Sequence, residues 1–275
     1  MTSDELFGLG PPTLAAMVLG MTVLERLSAL TAPLPWRAAV RHGWTNLWLA
    51  LLTAVPSAAG LALLLATSAW ARARGVGLLN LVDWPFWARL AVAVAGIDLA
   101  DWLRHLAHHH VGWLWRLHRV HHMDPACDAT TSVRAHPLEH ALAYPWFALW
   151  VLLLGLGPLE LAGRTLITSV LLSWHHSAFR VPLPLERLIS LVTPTPRTHR
   201  QHHSRDVRFT NSNYGTLLTC WDRLFGTFSP ATRWRDEQTG LDGFDAPERQ
   251  SIWGALTSIG QAPEPSALSP EPRKR

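Results

Sequence analysis

The segment of residues 46–70 is predominantly apolar and contains no charged side chain. A helix needs roughly 20 consecutive apolar residues to cross a hydrocarbon core of about 30 Å. Because that core offers the backbone no water, a chain must fold as a helix or a closed barrel inside it. Pro56 and Gly60 predict a kink within this helix. The segment therefore predicts a helical membrane protein.

The composition of the chain supports the same class of protein. Charged residues make up 16% and apolar residues 48% of the sequence, whereas an average soluble domain contains about 25% charged residues. The net charge is +4, but the arginines are scattered and form no continuous stripe. A nucleic-acid partner is therefore not expected. Cys127 and Cys220 are too few for a disulfide framework and lack C-x-x-C spacing.

Further apolar segments lie on both sides of residues 46–70. Residues 12–30 form another candidate span, and residues 86–98 run toward the first histidines. Residues 141–156 and 159–174 are each short for a complete span and are joined by a turn-prone Gly-Leu-Gly-Pro sequence. They predict a membrane hairpin that returns the chain to the side it came from.

Together these segments predict an all-α fold, with a membrane bundle of about four transmembrane or re-entrant helices and a histidine-rich helical cap. From about residue 231 the sequence becomes polar and rich in Pro, Glu and Ser, which predicts a disordered tail. The predicted units are N-terminal membrane helices over 1–97, a histidine-rich domain over 98–228 with the returning hairpin 141–174, and a polar tail over 229–275.

The spacing of the histidines predicts a metal site. His105 and His109 are four residues apart, which places both imidazoles on one face of a helix, close enough to share a metal. Two H-x-x-H-H motifs follow, and their positions i, i+3 and i+4 again converge on one face. A single zinc takes three or four protein ligands, so eight such histidines predict two metals. The eight are His105, His109, His118, His121, His122, His199, His202 and His203.

These motifs resemble the fatty acid hydroxylase and sterol desaturase superfamily of integral-membrane, histidine-ligated di-metal proteins. The resemblance covers nearly half the chain, in the ordered blocks DLADWLRHLAHH, LWRLHRVHHMDPACDATTSVRAHPLE, WHHSAFRVP, TPTPRTHRQHHSRD and NYGTLLTCWDRLFGTF. It implies that residues 98–228 are a catalytic domain of this kind and that the eight histidines are ligands. A ninth ligand position falls on His176, although Ala178 replaces the asparagine expected nearby. Framework positions of the family match Arg134, His136, Asn213, Tyr214, Gly215 and Asp222.

The resemblance implies a membrane-bound, non-haem di-iron oxygenase. Such an enzyme uses two Fe ions, O2 and two electrons to hydroxylate or desaturate a lipid such as a sterol or a fatty acyl chain. Zinc is a possible substitute, since neutral imidazoles also suit that metal. The chain lacks a G-x-G-x-x-G fingerprint, so electrons are expected from a separate cytochrome or ferredoxin-type donor. A docking patch for that donor is expected at Arg197, Arg200, Arg205 and Arg208.

Two other functions compete with this interpretation. His136, Glu139 and His140 form an H-x-x-E-H motif, which would make the protein a membrane zinc hydrolase with a glutamate general base. However, Pro137 is tolerated in a helix only near its start, and the motif leaves the eight spaced histidines without a role. A non-catalytic metal-binding or lipid-binding membrane protein is the third class.

The positive-inside tendency places the connection after the first span, with Arg37 and Arg41, in the cytoplasm. Arg72 and Arg74 after the second span weigh against this orientation. If the spans alternate, the chain from His105 onward lies on the cytoplasmic side. We therefore expect a multi-pass membrane protein with its metal site on the cytoplasmic face.

Overall fold

A computed structural model of the protein describes residues 3–28, 34–231 and 238–261. Across these ranges the chain is helical and has no β-strand, apart from an isolated bridge between Ser204 and Thr239. The predicted all-α fold is confirmed.

Six longer helices form the body of the molecule, and five short ones complete it. The longer helices are α1 (Ser3–Leu27), α2 (Trp36–Arg74), α3 (Phe86–His110), α4 (Gly112–His122), α5 (Pro137–Leu154) and α6 (Pro158–His176). The short ones are α7 (Leu183–Ile189), α8 (Pro196–His202), α9 (Val207–Thr210), α10 (Cys220–Leu224) and α11 (Ile252–Thr257). Single 3₁₀ turns occur at Leu78–Asn80, Ala129–Val133 and Ser258–Gly260.

Three stretches of the described helices are long and apolar enough to cross a membrane: Gly8–Leu27, Trp36–Asn80 and Pro137–Leu154. The first and third lie in α1 and α5, and the second covers α2 and the 3₁₀ turn after it. Helix α2 continues unbroken through Pro56. Large apolar side chains of α2 are exposed, including Val55 at 76% and Leu51 at 51%. Exposed apolar surface of this extent is typical of a protein that contacts lipid.

The long helices pack in a definite order, because α1 lies against α6 and α2 lies against α5, while α3 contacts both α5 and α6. The approach of α2 to α5 is close at Gly60, where a Cβ atom would clash with the ring of Tyr144. Between α5 and α6 the chain turns at Gly155, whose φ of +69° is readily adopted by glycine. Ile97 of α3, Val151 of α5 and Leu161 of α6 are buried in one hydrophobic cluster.

Residues 238–261 differ from the polar, disordered tail predicted for 229–275. Leu241, Phe244 and Ala255 are buried in one hydrophobic cluster with Trp115 and Val120 of α4. These few apolar residues are enough to dock the segment on α4, whereas the prediction rested on average composition. Residues 262–275 of the predicted tail lie outside the described residues.

Candidate metal centre

Nine buried histidines come together at the ends of α3, α4, α6 and α8. In each of two groups, every histidine offers one ring nitrogen that lies within 4.8 Å of the others. The first group contains His105, His109, His118, His122 and His202, and the second contains His121, His176, His199 and His203. The structure therefore brings together all nine residues that the sequence singled out, including His176.

Each H-x-x-H-H motif is divided between the two groups, which differs from the expectation that its three histidines share one face. The i, i+4 pair His118 and His122 stays in the first group, while His121 turns to the second. In the motif at α8, His199 and His203, the residue that follows the helix, lie in the second group, while His202 joins the first. Since neighbouring residues point about 100° apart on a helix, each motif bridges the two groups.

Backbone carbonyls orient two histidines of the first group. His105 donates from Nδ1 to the carbonyl of Tyr214 at 2.8 Å, and His202 donates from Nδ1 to the carbonyl of Ser212 at 2.7 Å. A carbonyl can only accept, so in the neutral rings both Nε2 atoms carry lone pairs. These two Nε2 atoms face each other at 3.0 Å. Two facing lone pairs repel, and a cation between them removes the repulsion.

The second group repeats this arrangement. His121 donates from Nδ1 to the carbonyl of Arg134 at 3.0 Å, and His176 donates from Nδ1 to the carbonyl of Leu172 at 2.7 Å. Their Nε2 atoms again face each other, at 3.0 Å. In this group too, a bound cation would remove the repulsion between two facing lone pairs, so both groups fit a metal ion.

Other ring nitrogens in these groups are buried without a hydrogen-bond partner among the described residues. They are Nε2 of His118, Nδ1 of His122, Nδ1 of His199 and both nitrogens of His203. Buried polar atoms are nearly always satisfied in folded proteins. For the nitrogens that face into the groups, a metal ion would supply the missing partner.

The electrostatics of α4 and α8 keep the imidazoles neutral. Burial, together with neighbouring His118, lowers the pKa of His121 to about 4. Burial followed by the proximity of His203 holds the pKa of His122 well below its usual range, and burial does the same for His202. Neutral imidazole is the form that binds a metal, so these side chains are ready to do so at pH 7.

Glu139 orients a histidine instead of forming a separate zinc site. Its Oε1 accepts from Nδ1 of His118 at 2.9 Å and from Arg104 at 3.2 Å. His140 bonds Ser57 through Nδ1 at 2.9 Å, and His136 accepts from the backbone N–H of Leu138. The latter contact caps α5, which begins at Pro137 as expected. The H-x-x-E-H residues are therefore occupied elsewhere, and the hydrolase interpretation is not supported.

The loop after α9 is held by buried carboxylates. Asp222 accepts from the backbone N–H groups of Tyr214 and Gly215 at 2.9 and 2.8 Å, which fixes the carbonyl that orients His105. Asp98 accepts from the backbone N–H groups of Leu217 and Leu218 at 2.8 and 3.0 Å. The resemblance identified Asp222 as a framework position. The role of Asp98 was missed, although its place one helical turn before Asp101 on the histidine-bearing helix was a signal.

The four arginines proposed as a donor-docking patch do not form one continuous exposed surface. Arg197 is buried and pairs with Glu186 at 2.5 Å, and Arg200 is buried and donates to the carbonyls of Cys127 and Ala126. The other two pair with nearby aspartates, Arg205 with Asp242 and Asp245 and Arg208 with Asp206. Because two of the four side chains are buried, only Arg205 and Arg208 reach the surface, and a docking role for them stays a prediction.

A cavity of about 640 Å³ leads from the histidine groups into the bundle. His105, His121 and His176 line one end of it, and apolar residues such as Leu64 and Val151 line another part. This volume is in the range of pockets that enclose small molecules. A ligand in the cavity would reach both groups from the side of the long helices.

Comparison with known proteins identifies the family. The family model described as fatty acid hydroxylase matches residues 90–227. The chain belongs to this family, as its histidine motifs indicated. The matched region includes all nine clustered histidines, most of α3 and the whole of α4 to α10. No solved structure gives a significant match.

Several curated relatives are similar over about half of the chain. An alkylglycerol monooxygenase from Xenopus tropicalis is 29% identical over 148 residues, which is 54% of this chain and 31% of the relative. The ornithine lipid hydroxylase OlsE from Rhizobium tropici is 30% identical over 171 residues, covering 58% of this chain and 48% of the relative. The human cholesterol 25-hydroxylase is 28% identical over 143 residues, or 49% of each chain. The chain thus spans about a third to a half of the length of these relatives.

Proposed function

We propose that this protein is a membrane-bound, non-haem di-iron oxygenase that hydroxylates a lipid. The observation that carries the proposal is the pairing of lone-pair Nε2 atoms, at 3.0 Å, in two adjacent buried groups of histidines. Both groups open to a cavity with an apolar wall, which suits an apolar substrate.

The nine clustered histidines are the proposed metal ligands. Imidazole suits iron, zinc and copper, and membership of the fatty acid hydroxylase family favours iron. When bound, a pair of iron ions supplies the chemistry that reduces O2 with two electrons and removes hydrogen from an unactivated C–H bond. Zinc would fill the same ligand set without this redox chemistry.

The residues of the chain itself orient the proposed ligands and keep bulk water out of the site. The carbonyls of Tyr214, Ser212 and Arg134 fix the tautomers of three ligands, so their Nε2 lone pairs point inward. Burial of the histidines excludes bulk water, which protects an oxidising site from side reactions. The cavity holds the substrate beside the two groups.

The substrate class follows from the relatives and from the cavity. The similar proteins are named for an alkylglycerol, an ornithine lipid and cholesterol. All three names describe a hydroxylase or monooxygenase, so hydroxylation is favoured over desaturation. The three apolar helices support access from the bilayer, and electrons are proposed to come from a separate cytochrome or ferredoxin-type donor on the cytoplasmic side.

Metal analysis combined with isotope labelling tests this proposal. Protein purified without oxygen is expected to contain about two iron atoms per chain, given the ligand number that one metal takes. With a chemical reductant, ¹⁸O2 and total membrane lipid, it should yield a lipid that has gained one ¹⁸O atom. Bound zinc without oxygen incorporation would instead identify a non-catalytic metal-binding protein, and hydrolysis that depends on Glu139 would restore the hydrolase.

A further inference from the structure

Three kinds of side chain line the cavity beside the histidine groups. His105 and His176 belong to those groups. Ile97, Val151 and Leu161, which we call the apolar layer, line another part and belong to a single hydrophobic cluster. Four charged side chains also line the cavity: Asp101, Arg104, Glu139 and Arg164. On α3, Asp101 lies about one helical turn from both Ile97 and His105, so a charged side chain separates the apolar layer from the histidines along that helix.

Three of the four charged groups already have close partners. Asp101 accepts from Arg104 at 3.0 and 2.8 Å and from the hydroxyl of Thr216 at 2.8 Å. Glu139 accepts from both His118 and Arg104. These groups therefore satisfy one another within the protein.

Arg164 is different, because no described residue accepts a hydrogen bond from its guanidinium. The nearest carboxylate oxygen is Oδ2 of Asp101, which lies 3.8 Å from Nη2 and so beyond hydrogen-bond distance. Its Nε is buried and has no partner among the described residues. A guanidinium carries five N–H donors and no acceptor. Arg164 thus presents unused donors and a positive charge to the cavity.

We propose that Arg164 binds the polar end of the lipid substrate through an acceptor oxygen, as found in a carboxylate, phosphate or ester. This inference rests on the proposed function, because it assumes that the cavity holds a lipid. The apolar tail would occupy the layer of Ile97, Val151 and Leu161. Since a donor-only side chain needs an acceptor, a pure hydrocarbon would leave Arg164 unsatisfied.

The position of the charged side chains also orients the substrate. Asp101 precedes His105 by one helical turn, a rise of about 6 Å along the axis. A lipid whose polar end lies at Arg164 and whose tail extends into the apolar layer places the carbons near that polar end closest to the histidine groups. The carbon that is oxidised is then near the polar group, and the tail lies away from the site.

Equilibrium binding of simple lipid probes tests this assignment. The purified, iron-loaded protein is kept without oxygen or electron donor, and binding of radiolabelled hexadecanoic acid, methyl hexadecanoate and hexadecane is measured. We expect the acid to bind more tightly than hexadecane. Arg164→Met should weaken acid binding about 10- to 100-fold, the effect of losing a charge-assisted hydrogen bond, and should leave hexadecane binding unchanged. Arg187→Met, at an exposed position of α7, is the matched control and should bind like the wild type.

The variant Arg164→Lys tests whether Arg164 has only a structural role. It keeps the charge beside Asp101, so it preserves folding if Arg164 only balances that carboxylate, but it lacks the guanidinium fork. We expect several-fold weaker acid binding in this variant as well. Acid binding at wild-type strength in both Arg164 variants, or equal binding of acid and hexadecane by the wild type, would overturn the inference. Tight ester binding that Arg164→Met also weakens identifies a neutral oxygen as sufficient.

The same samples distinguish a failure of the di-iron proposal from a failure of the proposed role of Arg164. Iron content is measured on each sample and reports on the proposed di-iron function. Absence of iron would count against that function, whereas the comparison of lipid probes needs no turnover and still decides the role of Arg164.

Discussion

Nδ1 of His118 donates a hydrogen bond to the carboxylate of Glu139 at 2.9 Å. This is the only bond from a clustered histidine to a carboxylate among the described residues; the other oriented rings use carbonyls or, for His109, the amide of Asn211. A carboxylate fixes the tautomer of a metal-binding histidine and makes its other nitrogen a stronger ligand. Glu139, which the sequence offered as a hydrolase base, therefore supports the first histidine group.

Glu139→Gln should weaken metal binding without removing the hydrogen-bond acceptor. The amide oxygen can still receive the His118 bond, but the negative charge is lost. We expect iron affinity to fall about 10- to 100-fold, as is usual when such an outer partner is changed. Iron retained against a graded chelator measures this, with exposed Glu248→Gln as the control. Full iron retention in Glu139→Gln would show that the carboxylate does not support a ligand.

The division of the histidines into two groups predicts separable losses of metal. His202→Ala removes a first-group nitrogen and His199→Ala a second-group nitrogen. Each variant should lower iron from about two atoms toward about one per chain, because it weakens metal binding in one group while the intact group keeps enough imidazoles for one metal.

His110→Ala is a suitable control for these variants. This ring lies outside both groups and contacts the hydroxyl of Tyr214 at 3.2 Å. Its iron content should equal that of the wild type. Complete loss of iron in either group variant would indicate one shared site instead of two.

The sequence was sufficient to predict the helical class and eight of the nine clustered histidines. These features follow from composition and from helical spacing, which are local properties of the chain. The ninth, His176, was predicted from the family resemblance alone. The assignment of each histidine to a group was not predictable in the same way. His121 and His122 are adjacent but point about 100° apart on α4, so His122 meets His109 of α3 while His121 meets His176 of α6.

The carbonyls that orient the histidines are a second feature that could not be predicted from the sequence. The carbonyls of Tyr214 and Ser212 hold His105 and His202, but any residue has a carbonyl, so no side-chain pattern marks these positions. Likewise, Phe244 and Leu241 are isolated in a polar sequence, and only the tertiary structure reveals that they pack on α4. Long-range contacts decided both features.

His42 and Asp124 form a buried pair that joins α2 to the loop after α4. Nε2 of His42 lies 2.7 Å from Oδ1 of Asp124. Burial alone would raise the pKa of Asp124, but the neighbouring His42 holds that pKa well below its usual range. His42→Ala should therefore destabilise the protein at pH 7 by about 3 kcal/mol, since it leaves a buried carboxylate without its cation.

The pH dependence of this loss has a defined sign. A carboxylate with a depressed pKa stabilises the folded state above its unfolded pKa of about 3.9, and that contribution disappears as the pH falls. The difference in thermal unfolding midpoint between wild type and His42→Ala should thus shrink on acidification below about pH 4. His42→Ala combined with Asp124→Asn should recover part of the stability, because it removes the unpaired charge. A difference that grows in acid would contradict the ion pair.

The two cysteines should differ strongly in reactivity. Cys127 is fully buried, and burial raises the pKa of its thiol to about 12, whereas Cys220 is exposed at the start of α10. The thiolate is the reactive form, so Cys127 remains almost entirely in the unreactive thiol form at pH 7.5.

Brief treatment with a small neutral maleimide should add one label to the native protein, as read by intact mass. Cys220→Ser should abolish that label, and denaturant should then expose a single new site at Cys127. Labelling of Cys127 in the folded protein would mean that the loop between α4 and α5 opens, and that the ligand His121, whose orienting carbonyl follows that loop, is less rigidly held than its contacts indicate.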